Sequence, residues 1–199
     1  EAVIKFKRSN VAAARAENPF RQDPIPDRHQ AGRKVVLEGE KADEVRHLAY
    51  QLRRIAVDNR LTEYEEIQNT LDFVQDIPYA FDKDSIDRLT NQALGILDYW
   101  RFPIETLYDE NGDCDCKAVL AAALFRLVGF RALLLVSFDP DIAHAAVAVE
   151  GAPDFPQTDF FTDNQGRRYY FCETTGDTFT VGEQPSPGFA NRFEIISFD

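Results

Sequence analysis

Cys114, His144 and Glu173 are the residues whose types and surroundings favour nucleophilic chemistry. Cys114 follows a turn and helix-capping signal at 111–113, so it is predicted to lie in the first turn of a helix. His144 lies in an apolar run predicted to be a strand, and Glu173 closes an aromatic strand. A thiol, an imidazole and a carboxylate are the components of a cysteine nucleophile, its base and the acid that orients the base.

Each of these residues has an ordinary structural alternative. Most lone cysteines are small buried hydrophobes, a lone histidine on an apolar strand usually bonds to backbone, and a carboxylate that ends a strand usually faces solvent. A helix start is expected to lower the pKa of the Cys114 thiol, because unpaired amides and the helix dipole stabilise an anion. Asp113 and Asp115 flank the sulfur and oppose this effect if they face it.

A central helix must position the cysteine. Residues 114–128 are apolar nearly all round, which predicts a buried helix that ends at Gly129. Two amphipathic helices are predicted before it, one from Lys41 and one from Thr62 to about Ile77. Glu65 completes a capping box with Thr62. Residues 82–103 are predicted to be loop with one short helix.

Strands are predicted to follow the central helix, because the apolar period changes there from helical spacing to two. The predicted strands are 132–138, 143–150, 168–173 and 192–198. This order predicts an α+β fold, in which N-terminal helices and a buried nucleophile helix pack on an antiparallel sheet. Residues 1–40 are interpreted as an irregular wrapping arm with a short candidate strand at 2–6, and residues 41–199 as the catalytic domain.

The amino-acid composition argues against some classes of binding partner. The 199 residues carry 22 Lys and Arg against 34 Asp and Glu, a formal net charge of −12. This balance argues against binding to nucleic acid or to anionic membrane surfaces, and the longest apolar run, 118–124, is too short to span a bilayer. Three cysteines do not predict a disulfide framework. Because the chain opens at Glu1 and contains no Met, it is interpreted as trimmed from a secreted or envelope-anchored precursor, with compartment and oligomeric state left open.

The segment around the cysteine resembles the nucleophile helix of the transglutaminase-like superfamily. The similarity consists of Gly-x-Cys at 112–114, Ala118 four residues after the cysteine, and an Arg-x-x-Gly-x-x-Ala ending at 126–132. It aligns Cys114, and not Cys116, with the nucleophile. His144 matches the family histidine, and 170–176 matches the strand of the third residue, with Glu173 where most relatives carry Asp.

The similarity extends upstream to a bacterial and archaeal branch of predicted cysteine peptidases. Segments 73–79, 99–107 and 181–185 are similar to that branch. The resemblance implies a papain-like fold and acyl transfer on peptide or glutamine amides of a protein or peptide substrate, through a Cys-His-Glu triad and a thioester. Hydrolysis is the expected outcome, as in a cysteine peptidase or amidase. The alternatives are a protein-crosslinking transglutaminase and a non-catalytic binding module that keeps the fold.

The oxyanion formed in such a reaction needs two hydrogen-bond donors. The backbone N–H of Cys114 is one candidate, and the side-chain amide of Gln75 is the second. The alternative for Gln75 is an ordinary exposed helix residue. Trp100 is a lesser candidate through its indole N–H, with packing as its alternative.

No cofactor is expected. Two metal sites, one for zinc and one for calcium, are alternatives to the catalytic interpretation. Cys114, Cys116, His144 and Cys172 could ligate zinc, but their Cys-x-Cys spacing is tighter than in closed zinc sites. Residues 109–115 are rich in oxygen ligands, but their glycine is not where a calcium-binding EF-hand loop requires it. Some bacterial members of the superfamily bind calcium, so the resemblance keeps calcium as a regulator. Cys116 and Cys172 are predicted to be packing residues.

Overall fold

Helices form most of the first two thirds of the chain. The computed structural model describes residues 4–21, 27–96, 98–137, 141–156, 159–186 and 189–198. The α-helices within these residues are α1 Arg8–Glu17, α2 Arg28–Gly39, α3 Asp43–Asn59, α4 Glu63–Gln75, α5 Pro103–Asp109 and α6 Cys114–Val128. Among the described residues, no helix is both long and apolar enough to cross a membrane.

Two antiparallel sheets complete the fold. A small hairpin pairs β1 Ile86–Asp87 with β2 Gln92–Ala93. The main sheet contains β3 Ala132–Ser137, β4 His144–Glu150, β5 Phe160–Thr162, β6 Arg168–Cys172 and β7 Glu194–Ile196, in the order β5-β6-β4-β3-β7. Its neighbouring strands are all antiparallel. The predicted α+β class is therefore confirmed.

The helix α6 lies at the centre of the molecule, as predicted. Other helices pack against it on one side, and β3 and β4 lie against the other. Its bounds match the prediction because both ends carry strong signals: the Asp113 side chain accepts a hydrogen bond from the backbone N–H of Cys116, and Gly129 has a left-handed φ of 108°. A helix that is apolar all round can be stable only when it is buried in this way.

The predicted capping box of α4 is present. The Glu65 carboxylate accepts the backbone N–H of Thr62 at 2.8 Å, and the Thr62 hydroxyl accepts the backbone N–H of Glu65. The helix ends at Gln75, slightly before the expected Ile77. Residue 77 cannot remain helical without steric conflict with the ring of Pro78.

The expectation of an irregular chain over 1–40 is wrong, since α1 and α2 occupy much of it. Residues 4–7 form no strand, and residues 2 and 3 of the candidate strand lie outside the described part of the chain. Val11 and Val35 are completely buried. The helical pattern was hidden because few apolar residues mark each helix among many charged ones. The division into an arm and a catalytic domain stays a prediction.

A buried arginine ties α1 to distant parts of the chain. The Arg15 guanidinium donates to Asp87 on the hairpin and to Glu105 and Asp109 on α5. At the other end of the molecule, His29 of α2 lies 2.6 Å from the Glu194 carboxylate of β7. The N-terminal helices therefore contact the hairpin, α5 and the last strand.

The sheet prediction was correct for four strands and incomplete for the rest. β3, β4, β6 and β7 lie within the predicted ranges, and residue 138 lies outside the described residues. β5, the hairpin β1–β2 and the helix α5 were not predicted at their positions. α5 begins at Pro103, whose missing N–H costs nothing at the first helical position.

Candidate active site

A cavity of about 310 Å³ lies where the start of α6 meets the start of β4. Cys114 and His144 both line it, so the fold brings the predicted nucleophile and base to one site. The rest of the wall comes from loops, from the ends of strands and from the first turns of α2 and α6. Its other residues are Arg28, Tyr79, Phe81, Asp98, Trp100, Asp113, Asp115, Val136, Ser137, Ala143 and Ala145.

The expected hydrogen bond between His144 and Glu173 is present. The His144 Nε2 atom lies 2.9 Å from Glu173 Oε2, and the glutamate side chain is almost completely buried. His144 begins β4 and Glu173 directly follows β6, and these strands are antiparallel neighbours, as predicted, with Val147 opposite Cys172. Since Nε2 is used by the glutamate, Nδ1 is the ring nitrogen available to the thiol.

Thr175 holds the second oxygen of the same carboxylate. Glu173 Oε1 accepts the Thr175 backbone N–H at 2.9 Å and its hydroxyl at 2.6 Å. Burial raises the pKa of Glu173, but the bonds from His144 and Thr175 outweigh it and leave this pKa below its usual range. Sequence reasoning missed Thr175, although a hydroxyl two residues after a carboxylate is a recognisable local pattern.

The thiol of Cys114 does not have the low pKa expected of a helix start. Burial raises its pKa above the usual range, and the charges of Asp115 and Asp113 raise it further. The backbone N–H of Ala145 donates to the sulfur and acts in the opposite direction, but more weakly. Asp115 does face the sulfur, since Cys114 Sγ lies 3.8 Å from Asp115 Oδ1. The raised pKa favours the neutral form of the Cys114 thiol.

Gln75 is not placed where an oxyanion donor must be. Its Nε2 donates to the backbone carbonyls of Glu173 at 2.8 Å and Phe179 at 3.0 Å, and it does not line the cavity. The buried Lys117 ammonium donates to the carbonyls of Gln75 at 3.1 Å and Ile77 at 2.7 Å. Gln75 thus ties the end of α4 to the segment that carries Glu173, and Lys117 ties it to α6.

Trp100, the lesser oxyanion candidate, does line the cavity. Its side chain is almost fully buried and stacks on Phe20 with 4.6 Å between ring centroids. A hydrogen bond from Trp100 lowers the pKa of Asp98, while burial of Asp98 raises it more strongly. Trp100 therefore packs on Phe20 and also lines the cavity that contains the Cys114 thiol.

Cys116 and Cys172 are packing residues, as predicted. Both are completely buried, and Cys116 Sγ donates to the backbone carbonyl of Tyr99 at 3.3 Å. The zinc set of Cys114, Cys116, His144 and Cys172 is not assembled within the described part of the chain. All three cysteines are free thiols.

Three buried aspartates lie close together near Cys114. Asp82, Asp113, Asp115 and the Cys116 thiol place one potential ligand atom each within 4.8 Å of the others. Of the oxygen-rich segment 109–115, only Asp113 and Asp115 belong to this cluster. Asp109 instead pairs with Arg15. Asp115 Oδ2 is buried and has no hydrogen-bond partner among the described residues. Three carboxylates suit a hard cation such as Ca²⁺, whereas the thiol does not.

Crowding of these acids changes their protonation. Burial raises the pKa of Asp82 to about 7, helped by the charge of Asp113 and opposed by the Arg101 guanidinium. Burial likewise raises the pKa of Asp115 well above its usual range, with a further contribution from Asp113. Asp82 and Asp115 therefore resist ionisation.

Asp115→Asn should stabilise the protein at alkaline pH, because burial raises the pKa of Asp115 well above its usual range. A raised folded-state pKa gives stability that is present at low pH and lost as pH rises. Asparagine keeps the neutral shape, so the free energy of unfolding should exceed that of the wild type at pH 8, with a smaller difference at pH 5. Urea unfolding at both pH values measures this, with exposed Asp154→Asn as control. An equal difference at both pH values would show that Asp115 is ionised throughout.

Comparison with known proteins identifies the family. The family model described as a transglutaminase-like domain matches residues 43–155, more than half of the chain. A search of curated proteins gives no significant match. The matched segment contains Cys114 and His144 and stops before Glu173.

Solved structures with a similar fold include three proteins. Calcium-bound LapG of Legionella pneumophila is 14% identical, with a TM-score of 0.42 and coverage of 82% of this chain and 81% of LapG. A candidate cysteine protease of Cytophaga hutchinsonii is 12% identical, with a TM-score of 0.41 and coverage of 92% of this chain and 51% of that protein. A protein described as a TGase is 12% identical, with a TM-score of 0.43 and coverage of 91% of this chain and 40% of its own.

The present chain thus spans about half the length of the Cytophaga protein. Family membership rests on the matched sequence model and not on these structural similarities. The chain belongs to the transglutaminase-like domain family.

Proposed function

We propose that this protein catalyses thiol-dependent acyl transfer on peptide or glutamine amides, with hydrolysis as the outcome. Cys114 is the nucleophile, His144 the base and Glu173 the acid that orients the base. The observation that carries the proposal is the 2.9 Å contact between His144 Nε2 and Glu173 Oε2, at a cavity that Cys114 also lines. Membership of the transglutaminase-like family supports it.

The reaction begins from a neutral thiol, because burial and the neighbouring acids oppose ionisation of Cys114. His144 Nδ1 takes the thiol proton as the sulfur attacks the amide carbonyl, and Glu173 stabilises the imidazolium that forms. The imidazolium then gives its proton to the leaving ammonia or amine. Water, activated by the same imidazole, attacks the thioester and releases the acid and the free thiol.

The oxyanion of each tetrahedral intermediate needs two donors. The Cys114 backbone N–H is one, and the Trp100 indole is the second, since Trp100 lines the cavity and Gln75 does not. In the resting structure Trp100 bonds to Asp98. The indole N–H therefore has to leave the Asp98 carboxylate and donate to the oxyanion during turnover.

A bound divalent cation would act through charge. Asp82, Asp113 and Asp115 would hold it, and calcium bound there would neutralise the carboxylates that now raise the pKa of the Cys114 thiol. None of the steps above passes through such a cation. Its role would be to regulate how readily the thiol ionises.

Two alternatives differ from hydrolysis in what can be measured. A crosslinking transglutaminase would transfer the acyl group to a lysine amine, so a fluorescent primary amine would be incorporated into a glutamine-containing protein such as casein. A non-catalytic module would show neither incorporation nor hydrolysis. The retained hydrogen bond between His144 and Glu173 favours an enzyme over such a module, because a binding module needs no oriented imidazole.

The decisive experiment measures alkylation of Cys114 by iodoacetamide near neutral pH. His144→Ala should slow labelling by about tenfold or more, because general-base assistance contributes about 10²–10⁴-fold in enzymes. Mass spectrometry follows the modification at Cys114, and His47→Ala on the exposed face of α3 is the matched control. An unchanged labelling rate in folded His144→Ala would remove His144 as the base and contradict the proposal.

A further inference from the structure

Two exposed aromatic rings form one wall of the cavity. Tyr79 is 44% exposed and Phe81 57% exposed, and their rings meet edge to face with 5.3 Å between centroids. Both line the cavity that contains Cys114. Partial burial raises the pKa of the Tyr79 phenol, with a further contribution from the charge of Cys114, so this ring lies beside the nucleophile. Exposed apolar rings that converge on a polar site are typical of ligand pockets.

The backbone that carries these rings is extended and has an available edge. Tyr79 forms an isolated parallel bridge with Gly112, through hydrogen bonds from Ala80 N–H to Gly112 O at 3.1 Å and from Gly112 N–H to Pro78 O at 3.2 Å. Since successive residues of an extended chain point their polar groups to opposite sides, the N–H and C=O of Tyr79 point away from Gly112. Neither group is hydrogen-bonded within the described residues. This edge can pair with a second extended chain.

Ser137 adds a polar group without a partner. Its residue is only 4% exposed, it lines the same cavity, and its Oγ has no hydrogen-bond partner among the described residues. A buried hydroxyl left in this state costs free energy that a ligand can recover by bonding to it. A peptide backbone offers both the donor and the acceptor that the hydroxyl lacks.

The charges around the cavity favour a neutral side chain over an acidic one. Asp98, Asp113 and Asp115 line it, whereas Arg28 is the one Lys or Arg among its described lining residues. An acidic substrate residue placed here would meet repulsion from the carboxylates. An apolar side chain packed on Tyr79 and Phe81 would meet no such repulsion.

From these observations we infer that the substrate is a peptide bound in extended conformation, with a large apolar side chain packed on Tyr79 and Phe81 next to the reacting carbonyl. The inference rests on the proposed function and adds the substrate class to it. Tyr79 supplies backbone pairing, the two rings supply selectivity, and Ser137 bonds to the peptide backbone. Free glutamine or a short glycine-rich peptide would use little of this surface.

Two thiol-directed probes test the inference. They are acetyl-Gly-Phe-chloromethyl ketone and acetyl-Gly-Gly-chloromethyl ketone, which differ in one side chain and alkylate Cys114. The second-order labelling rate of each, divided by the rate with iodoacetamide, reports peptide recognition apart from thiol reactivity. In the wild type the Phe probe should react about tenfold faster than the Gly probe, as expected for burial of a large apolar side chain.

Phe81→Ser should reduce this ratio to near one, and Tyr79→Ser should reduce it as well. Tyr50→Ser, at an aromatic residue that is 60% exposed on α3, should keep the wild-type ratio. A ratio near one in the wild type, or a wild-type ratio in both cavity variants, would overturn the inference. These results are separate from the effect of His144→Ala on iodoacetamide labelling, so failure of the substrate class is distinguishable from failure of the proposed function.

Discussion

Cys114→Ser should abolish thiol-dependent hydrolysis of p-nitrophenyl acetate, while Cys116→Ser should leave it nearly intact. Cys114 lines the cavity with His144, whereas Cys116 is completely buried and bonded to the Tyr99 carbonyl. Two positions along a helix rotate a side chain by about 200°, so only one of these thiols can face the base. A serine at 116 keeps a donor for the Tyr99 carbonyl, so the fold should be retained.

Steady-state release of p-nitrophenol measures both variants, and thermal unfolding verifies their folding. Removal of a nucleophile costs about 10⁶-fold in a well-studied serine protease, so Cys114→Ser should fall to the level of the uncatalysed reaction. Loss of activity in folded Cys116→Ser, with activity retained in Cys114→Ser, would show that the nucleophile is assigned to the wrong cysteine.

Glu173→Gln should lower turnover by one or more orders of magnitude without unfolding the protein. Thr175 donates both its N–H and its hydroxyl to Glu173 Oε1, so the amide oxygen of a glutamine will keep that position. The amide NH₂ then faces His144 Nε2 and donates to it. This selects the tautomer with its proton on Nδ1, which cannot accept the thiol proton, and the related change in a serine protease costs about 10⁴-fold.

Glu183→Gln is the matched control for this substitution. Glu183 accepts the N–H of Thr180 at 3.0 Å and its hydroxyl at 3.2 Å, which repeats the local geometry of Glu173 and Thr175 without a histidine. Turnover of Glu183→Gln should remain close to that of the wild type. If folded Glu173→Gln also turns over normally, Glu173 is not the orienting acid.

Local signals explain which parts of the fold were predictable. Both ends of α6 were predicted because Asp113 and Gly129 act on the backbone within a few residues. The pairing of His144 with Glu173 was predictable because few residue types perform this chemistry and both follow strand patterns. The helices α1 and α2 were missed because their stability comes from partners far away in sequence, such as the three acids around Arg15.

The expectations for Cys114 and Gln75 differ from the structure for a similar reason. The pKa of Cys114 depends on where the Asp113 and Asp115 side chains point, and no pattern of residue types fixes that direction. The role of Gln75 depends on the carbonyls of Glu173 and Phe179, about one hundred positions later in the chain. Sequence patterns thus predicted which groups share the cavity, and only the folded structure shows their electrostatic surroundings.

Contacts between α2 and β7 bear on the order of events during synthesis. His29 bonds to Glu194, and Arg33 Nη1 donates to the backbone carbonyl of Ser197 at 3.1 Å. A helix made early on the ribosome must therefore wait for about 165 further residues before its partners emerge. Glu173 also emerges about 60 residues after Cys114, so a nascent chain carries an exposed thiol without an oriented base. The proposed triad should consequently form late, after Glu173 has emerged and the main sheet has paired.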